Sequence, residues 1–134
     1  MRSLLFLPLL FGFSGPAIAD SEVFKIDVSA ESYRNYILSG TDRNGSVSGE
    51  DPIVTVKKGD IIIFDVDASR HPFYIKTKFS RGGGDQVTTG IISGTPGTQN
   101  GKISWNTKGV SSGKYYYVCS PHATLGMGGT IIIE

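Results

Sequence analysis

A nine-residue stretch near the end of the chain, residues 119–127, places the strongest constraint on the fold. It lies between two runs of β-forming residues and contains three side chains that can bind a metal: Cys119, His122 and Met127. A thiolate, an imidazole and a thioether therefore come from one short loop between two predicted strands. The chain has only one other histidine, His71. A fold that completes a four-ligand site must bring residue 71 next to this loop.

These donor atoms are soft or borderline, and such a set suits copper cycling between Cu(I) and Cu(II). Each residue also has an ordinary explanation when it is taken alone. Cys119 can be a small buried hydrophobe, His122 a surface residue and Met127 core filler. The conjunction Cys-x2-His-x4-Met at the end of a strand favours a metal site over those explanations. Zinc is disfavoured because structural zinc rarely takes a thioether ligand.

A thiol nucleophile is the catalytic alternative for the same residues, with His122 as the base for Cys119. Adjacent Cys-x-x-His is not the usual arrangement of a thiol hydrolase, in which the two residues are distant in sequence. No third residue that would orient the base stands out. The sequence therefore predicts a metal site and no enzymatic activity.

The remainder of the chain predicts short β-strands separated by turn signals. The β-forming runs are residues 23–28, 53–56, 61–66, 73–75, 101–105, 115–119 and 130–133, with 90–93 as an eighth. Residues 31–38 have a little helical potential, and residues 42–49 have the chemistry of a loop. The turn at 57–60 predicts a β-hairpin between its flanking runs. Seven or eight short strands predict an all-β fold, a Greek-key antiparallel β-sandwich.

The first nineteen residues predict a signal peptide. Arg2 supplies the positive charge, residues 4–13 are almost wholly apolar, and residues 17–19 fit an A-x-A cleavage site. The apolar run is shorter than the roughly 20 residues needed to span a bilayer, although an uncleaved membrane anchor is the alternative. We expect residues 20–134 to form one exported domain in a periplasm or a thylakoid lumen, without stable membrane insertion after cleavage.

Cleavage also changes the charge of the chain. Arg2 is lost, so the 13 Lys+Arg become 12, which face 12 Asp+Glu. A neutral domain argues against nucleic acid or an anionic membrane as a partner. The single cysteine excludes an intramolecular disulfide, so stability must come from the core. We expect a monomer.

The ligand loop resembles that of the plastocyanin branch of the cupredoxin family, which has the same Cys-x2-His-x4-Met spacing. His71 begins the run His-Pro-Phe-Tyr-Ile, where the family has its first ligand histidine at the start of a strand. Residues 57–64 resemble the turn and strand that lead to that histidine, and residues 129–133 resemble the closing strand. The resemblance implies a cupredoxin-like fold that holds one type 1 copper ion through two histidines, a cysteine and a weak axial methionine: His71, Cys119, His122 and Met127.

Two features depart from the plastocyanin pattern. Val118 precedes the cysteine where plastocyanins commonly have a solvent-facing tyrosine, and strand alternation directs Tyr117 towards the core with Cys119. Proline follows the first histidine and precedes the second, at Pro72 and Pro121. Because proline has no backbone N–H, neither position can donate a hydrogen bond to the cysteine sulfur, and we expect a lower reduction potential.

The resemblance and the closed ligand set predict a one-electron carrier between larger redox partner proteins. Protein would occupy every coordination position, and no third histidine is present for a second copper. The alternative is copper storage or delivery, although the chain lacks the Met- or His-rich tract expected for it. A cupredoxin-like domain without metal is the remaining alternative.

We expect the redox partners to dock at the loop that follows the cysteine. His122, Pro121 and Leu125 would form a small apolar patch there, suited to brief encounters. Lys57 and Lys58 are poor candidates because the strand at 61–66 places them roughly 20 Å from the metal.

Overall fold

The computed structural model describes residues 8, 12 and 20–134. The predicted signal peptide lies outside these residues, apart from positions 8 and 12. The described part of the chain contains no helix whose length and apolar character would allow it to cross a membrane.

Within these residues the chain forms ten β-strands and one short 3-10 helix, η1. They are β1 (Val23–Ser29), β2 (Ile37–Asp42), β3 (Gly45–Glu50), β4 (Val54–Val56), β5 (Ile61–Asp67), β6 (Phe73–Lys76), β7 (Ile91–Ser93), β8 (Asn100–Asn106), β9 (Gly113–Cys119), η1 (Ala123–Leu125) and β10 (Gly128–Ile133).

The strands form two sheets with the orders β3-β2-β1-β5-β8-β7 and β4-β10-β9-β6. The predicted all-β sandwich is confirmed, with ten strands rather than seven or eight. Two neighbouring pairs, β1 with β5 and β10 with β4, run parallel. The sheets are therefore mixed rather than purely antiparallel, because these pairs join strands that are distant in sequence and linked by no hairpin.

The predicted hairpin across residues 57–60 is wrong. Strand β4 pairs with β10 in the second sheet, whereas β5 lies in the first sheet between β1 and β8. Both edges of β5 are already paired, so β4 cannot join it. The turn therefore carries the chain from one sheet to the other, and β5 lies in the interior of the first sheet, between β1 and β8.

Residues 42–49, predicted as a loop, form most of a hairpin. Strands β2 and β3 pair in antiparallel register around Arg43 and Asn44. The Asn44 N–H donates to Asp42 Oδ1 at 2.8 Å, which fixes the turn. Gly40 faces the Lys25 carbonyl so closely that a Cβ would clash with it. Gly40 is therefore needed for close pairing of β2 with β1.

An aromatic cluster fills the core between the sheets at the end near the predicted metal site. Phe64 comes from the first sheet, Phe73 and Tyr117 come from the second, and Tyr36 precedes β2. The Phe64 and Phe73 rings lie 5.0 Å apart, and the Phe73 and Tyr117 rings stack at 6.0 Å. All four side chains are buried, and the predicted ligand loop lies next to this aromatic cluster.

Candidate metal centre

The pairing of β6 with β9 brings the first predicted ligand next to the cysteine. Cys119 is the last residue of β9, and Phe73 at the start of β6 lies opposite it. His71 stands two residues before Phe73, and its N–H donates to the Ala68 carbonyl at 3.0 Å. This hydrogen bond closes the turn that leads from β5 to β6, and it fixes the position of His71 beside the end of β9.

The loop between β9 and β10 is closed by its own backbone hydrogen bonds. The Met127 N–H donates to the His122 carbonyl at 3.3 Å, and the Met127 carbonyl accepts the Cys119 N–H at 3.1 Å. Gly126 adopts the left-handed conformation at φ 82°, and its N–H donates to the Ala123 carbonyl. Glycine is favoured there because a side chain would be strained. The loop thus holds its three candidate ligands in a fixed order.

The side chains of His71, Cys119 and His122 converge on one point. The Cys119 Sγ lies 3.7 Å from His71 Nδ1 and 3.4 Å from His122 Nδ1. One ligand atom from each of the three residues lies within 4.8 Å of the others, and no other group of His, Cys, Asp and Glu in the described residues does this. Cys119 and Met127 are fully buried, whereas the two histidines are half-buried. The candidate site is therefore inside the protein, and the rings of the two histidines separate it from solvent.

Residues 38–134 match the family described as copper binding proteins, plastocyanin/azurin family. The chain belongs to this family. The predicted cofactor, one type 1 copper ion, is confirmed by this match together with the cluster of histidines and cysteine. No curated protein has a significantly similar sequence.

Three rusticyanin structures are similar to this cupredoxin. Structures of rusticyanin variants match with 20% identity over 86% of this chain and 79% of theirs, at a TM-score of 0.53. Reduced rusticyanin matches with 22% identity over 86% of this chain and 81% of its own, at a TM-score of 0.51. Rusticyanin from Thiobacillus ferrooxidans matches with 23% identity over 86% and 79%, also at 0.51. At such identities these matches show the shared fold alone.

The environment of the site suits a copper cation. Burial lowers the pKa of His71, and the neighbouring His122 lowers it further. The neutral imidazole, which is the form that binds metal, is therefore favoured. Burial raises the pKa of the Cys119 thiol, so that a bound cation would be needed to hold the thiolate in this apolar interior. The donor set of two imidazoles, a thiolate and a thioether fits copper.

Tyr36 contacts the site and was missed by the sequence analysis. Its hydroxyl donates to the His71 carbonyl at 2.8 Å, and its ring lies edge-on to the His71 imidazole with the centroids 6.5 Å apart. The Tyr36 N–H donates to Asp51 Oδ1 at 2.8 Å. Tyr36 lies in the stretch that showed weak helical potential, and no periodic pattern there marks it as a neighbour of His71.

Two polar groups, the His122 backbone N–H and the Tyr36 hydroxyl, affect the pKa of the cysteine. The His122 backbone N–H and the Tyr36 hydroxyl both lower the pKa of Cys119, against the larger effect of burial. The Tyr36 hydroxyl donates its hydrogen to the His71 carbonyl, and the His122 N–H donates to the Cys119 carbonyl. The lower potential expected from Pro72 and Pro121 therefore stays a prediction.

The residues before the cysteine are arranged as strand alternation predicts. Tyr117 is fully buried, and its hydroxyl donates to the Pro52 carbonyl at 2.6 Å. Val118 points to the opposite face of the sheet and is also fully buried. The solvent-facing tyrosine of plastocyanins therefore has no counterpart at this position.

The exposed side of the site opens into a cavity of about 560 Å³ bordered by residues 30–34, Arg70, His71 and His122. The Tyr33 ring lies 5.8 Å from the His122 ring, and Tyr33 is 57% exposed. Leu125 is 45% exposed on the same loop as His122. Of the three residues predicted for docking, His122 borders this cavity, Leu125 is exposed on the same loop, and Pro121 borders a separate depression. The Tyr33 ring beside His122 was not predicted from the sequence.

Proposed function

We propose that this cupredoxin carries single electrons between larger redox proteins. His71, Cys119, His122 and Met127 would hold one copper ion. When bound, copper supplies a one-electron couple between Cu(I) and Cu(II). The observation that carries the proposal is the convergence of the three ligand atoms within 4.8 Å on a buried loop.

The burial of the ligands supports a carrier over an enzyme. Cys119 and Met127 have no exposed surface, and the backbone bonds of Met127 tie the ligand loop to itself. All four ligands would come from the protein, which leaves no open position for a substrate. A loop fixed in this way would keep its ligands in place in both oxidation states, which favours rapid electron transfer.

The loss of colour on removing the thiolate tests this function. The copper-loaded mature chain is expected to bind one copper and to absorb intensely in the visible, because the colour arises from the copper–thiolate bond. Cys119→Ser should lose that band, whereas Ser120→Ala, at the neighbouring half-buried position, should keep it. A coloured Cys119→Ser protein would refute the ligand assignment. A colourless copper-loaded wild type would favour copper storage or delivery.

The partners would dock at the exposed edge formed by His122, Pro121 and Leu125. Leu125→Glu should slow electron transfer to a redox partner because it places a charge in an apolar contact. Lys57→Glu is the matched control, since Lys57 lies in the turn before β5 and His71 follows the opposite end of that strand. Slower transfer in the lysine variant alone would show that the docking edge lies elsewhere.

We also propose that the protein is exported, to a periplasm or a thylakoid lumen, as a domain of residues 20–134. The support is the charged, apolar and small-residue segments of residues 1–19. Sequencing the purified native protein should give Asp20 as the first residue. A retained Met1 would instead indicate an uncleaved anchor.

A further inference from the structure

The charges near the exposed histidine edge are not balanced, although the region 20–134 is neutral as a whole. Arg34 and Arg70 line the cavity beside His71 and His122, where Glu31 is the acidic lining residue. A second depression contains a third arginine, Arg81. The surface around the metal site is therefore basic.

Arg81 borders a depression of about 450 Å³ together with Gly82, Ser120 and Pro121. The two depressions share no lining residue, and the start of the ligand loop separates them. Residues 120 and 121 border one and residue 122 borders the other. A partner that contacts His122 would therefore meet arginines on both sides of the loop.

These three guanidinium groups are available to a partner. All three arginines are exposed, and none of the ion pairs or hydrogen bonds in the described residues involves their guanidinium groups. Arg43 is different, because its guanidinium binds the carboxylates of Asp60 and Glu22. A free guanidinium group can form bidentate hydrogen bonds with a carboxylate, and these bonds fix the relative orientation of the two groups.

The position of Arg70 is fixed by the turn that presents the ligand. Its backbone has φ 72°, and its N–H donates to Gln99 Oε1 at 2.7 Å. A non-glycine residue in this conformation is strained, and it persists only where the surrounding structure holds it. The backbone of Arg70 is therefore held in place beside the first candidate ligand, His71.

Acidic side chains gather on a different surface of the molecule. Asp27, Asp65 and Asp67 border a groove on the outer face of the first sheet with Asn100. Asp60, at the turn before β5, is already paired with Arg43. Two of the groove carboxylates, Asp27 and Asp65, lie 4.0 and 3.6 Å from Lys25, and the groove shares no lining residue with the two depressions beside the ligand loop.

We propose that this basic edge docks against an acidic face of a redox protein, with partner carboxylates facing Arg34, Arg70 and Arg81. The inference rests on the proposed electron-carrier function and adds the charge of the partner to it. Opposite charges around a small apolar contact raise the association rate and orient the encounter, and salt weakens this effect. Tyr33 and Leu125 would provide the apolar contact at the centre.

Electron transfer to two c-type cytochromes of opposite charge tests the proposal. The copper-loaded chain should react faster with an acidic cytochrome than with a basic one, and the first rate should fall as ionic strength rises. Replacing the three arginines together by glutamine should lower the rate with the acidic cytochrome about tenfold at low salt. Lys57→Gln with Lys58→Gln, in the distant turn, is the control and should leave the rate unchanged.

Two further measurements separate the causes of a change. The reduction potential and visible spectrum of the triple variant show whether the arginines altered the site itself, and rates are compared after correction for driving force. Chemical shifts of the copper-free protein titrated with the acidic cytochrome should change at Tyr33, Arg70 and residues 120–126. Shift changes confined to the Asp27 groove would overturn the proposal.

Failure of the docking inference is distinguishable from failure of the function. Hexaammineruthenium(II), a small cationic reductant, is the probe that needs no docking surface. If it reduces the copper site and the two cytochromes react equally, or the basic one reacts faster, the docking inference is overturned and the carrier function stands. If neither cytochrome nor hexaammineruthenium(II) exchanges electrons with the site, both are overturned.

Discussion

Substitution of Asp60 by asparagine should destabilise the fold more than any change at a surface carboxylate. Asp60 is fully buried at the turn between β4 and β5. Its Oδ1 accepts hydrogen bonds from the Glu22 N–H at 2.9 Å and from Arg43 Nη2 at 2.7 Å. Its Oδ2 accepts from the Lys57 N–H at 2.7 Å and from Arg43 Nε at 2.9 Å. One side chain thus joins β1, the β2–β3 turn and the crossing between the sheets.

The size of the effect follows from these four bonds. Asparagine keeps one acceptor oxygen and replaces the other by an NH2 group that faces donors, so two of the four bonds are lost. A hydrogen bond to a charged group contributes about 1.5–3 kcal/mol, and we therefore expect the loss of two to lower the free energy of unfolding by about 3–6 kcal/mol. Water screens little of this, because the side chain of Asp60 is only 1% exposed.

The effect should depend on pH in a defined direction. Burial alone would raise the pKa of Asp60, but the hydrogen bonds from Arg43, Glu22 and Lys57 outweigh it, and the pKa lies below its ordinary value. In the unfolded chain, the Asp60 carboxylate takes up a proton at about pH 3.9. The stabilisation is therefore complete above that pH and is lost as pH falls through the lower folded pKa. The difference between wild type and variant should be constant above about pH 5 and should shrink in stronger acid.

Urea denaturation at several pH values measures this difference. The copper-free proteins are used because copper binding has a pH dependence of its own. Asp27→Asn is the matched control, because the Asp27 side chain is 67% exposed and lies 4.0 Å from Lys25. It should change the free energy of unfolding by less than about 1 kcal/mol. An equal effect of the two substitutions at neutral pH, or a difference that grows in acid, would refute the reasoning.

Three further predictions concern the metal centre. Met127→Leu should keep the visible colour and change the reduction potential, because the axial bond is weak; spectroscopy and voltammetry check this, and a colourless variant would contradict it. Pro72→Asn should place a backbone N–H beside the Cys119 sulfur and raise the potential; an unchanged or lower potential with an intact copper spectrum would count against it. Tyr36→Phe should leave the His71 carbonyl without its donor and lower the stability of the copper-free protein by about 1–3 kcal/mol, measured by urea denaturation. Unchanged stability and an unchanged copper spectrum in Tyr36→Phe would show that the hydroxyl does not position the histidine.

The sequence by itself determined the candidate ligands on the loop and the class of fold. Cys119, His122 and Met127 lie within nine residues, so their proximity needs no long-range folding. The period-2 alternation of Ile62, Phe64 and Val66 likewise marks their shared buried face, because successive side chains of a strand point to opposite sides. Both patterns are local, and steric rules that act over a few residues are sufficient to interpret them.

Only the tertiary structure decided which strands pair and which distant residues meet. Residues 57–60 have the chemistry of a hairpin turn, yet the chain crosses between sheets there because Asp60 is held by Arg43 and because β5 already has two neighbours. Tyr36 reaches His71 across 35 positions of sequence, and the arginines at the exposed edge come from three separate segments. Such contacts depend on how well whole strands and side chains pack together, and that free energy is a property of the assembled core rather than of any short stretch of chain.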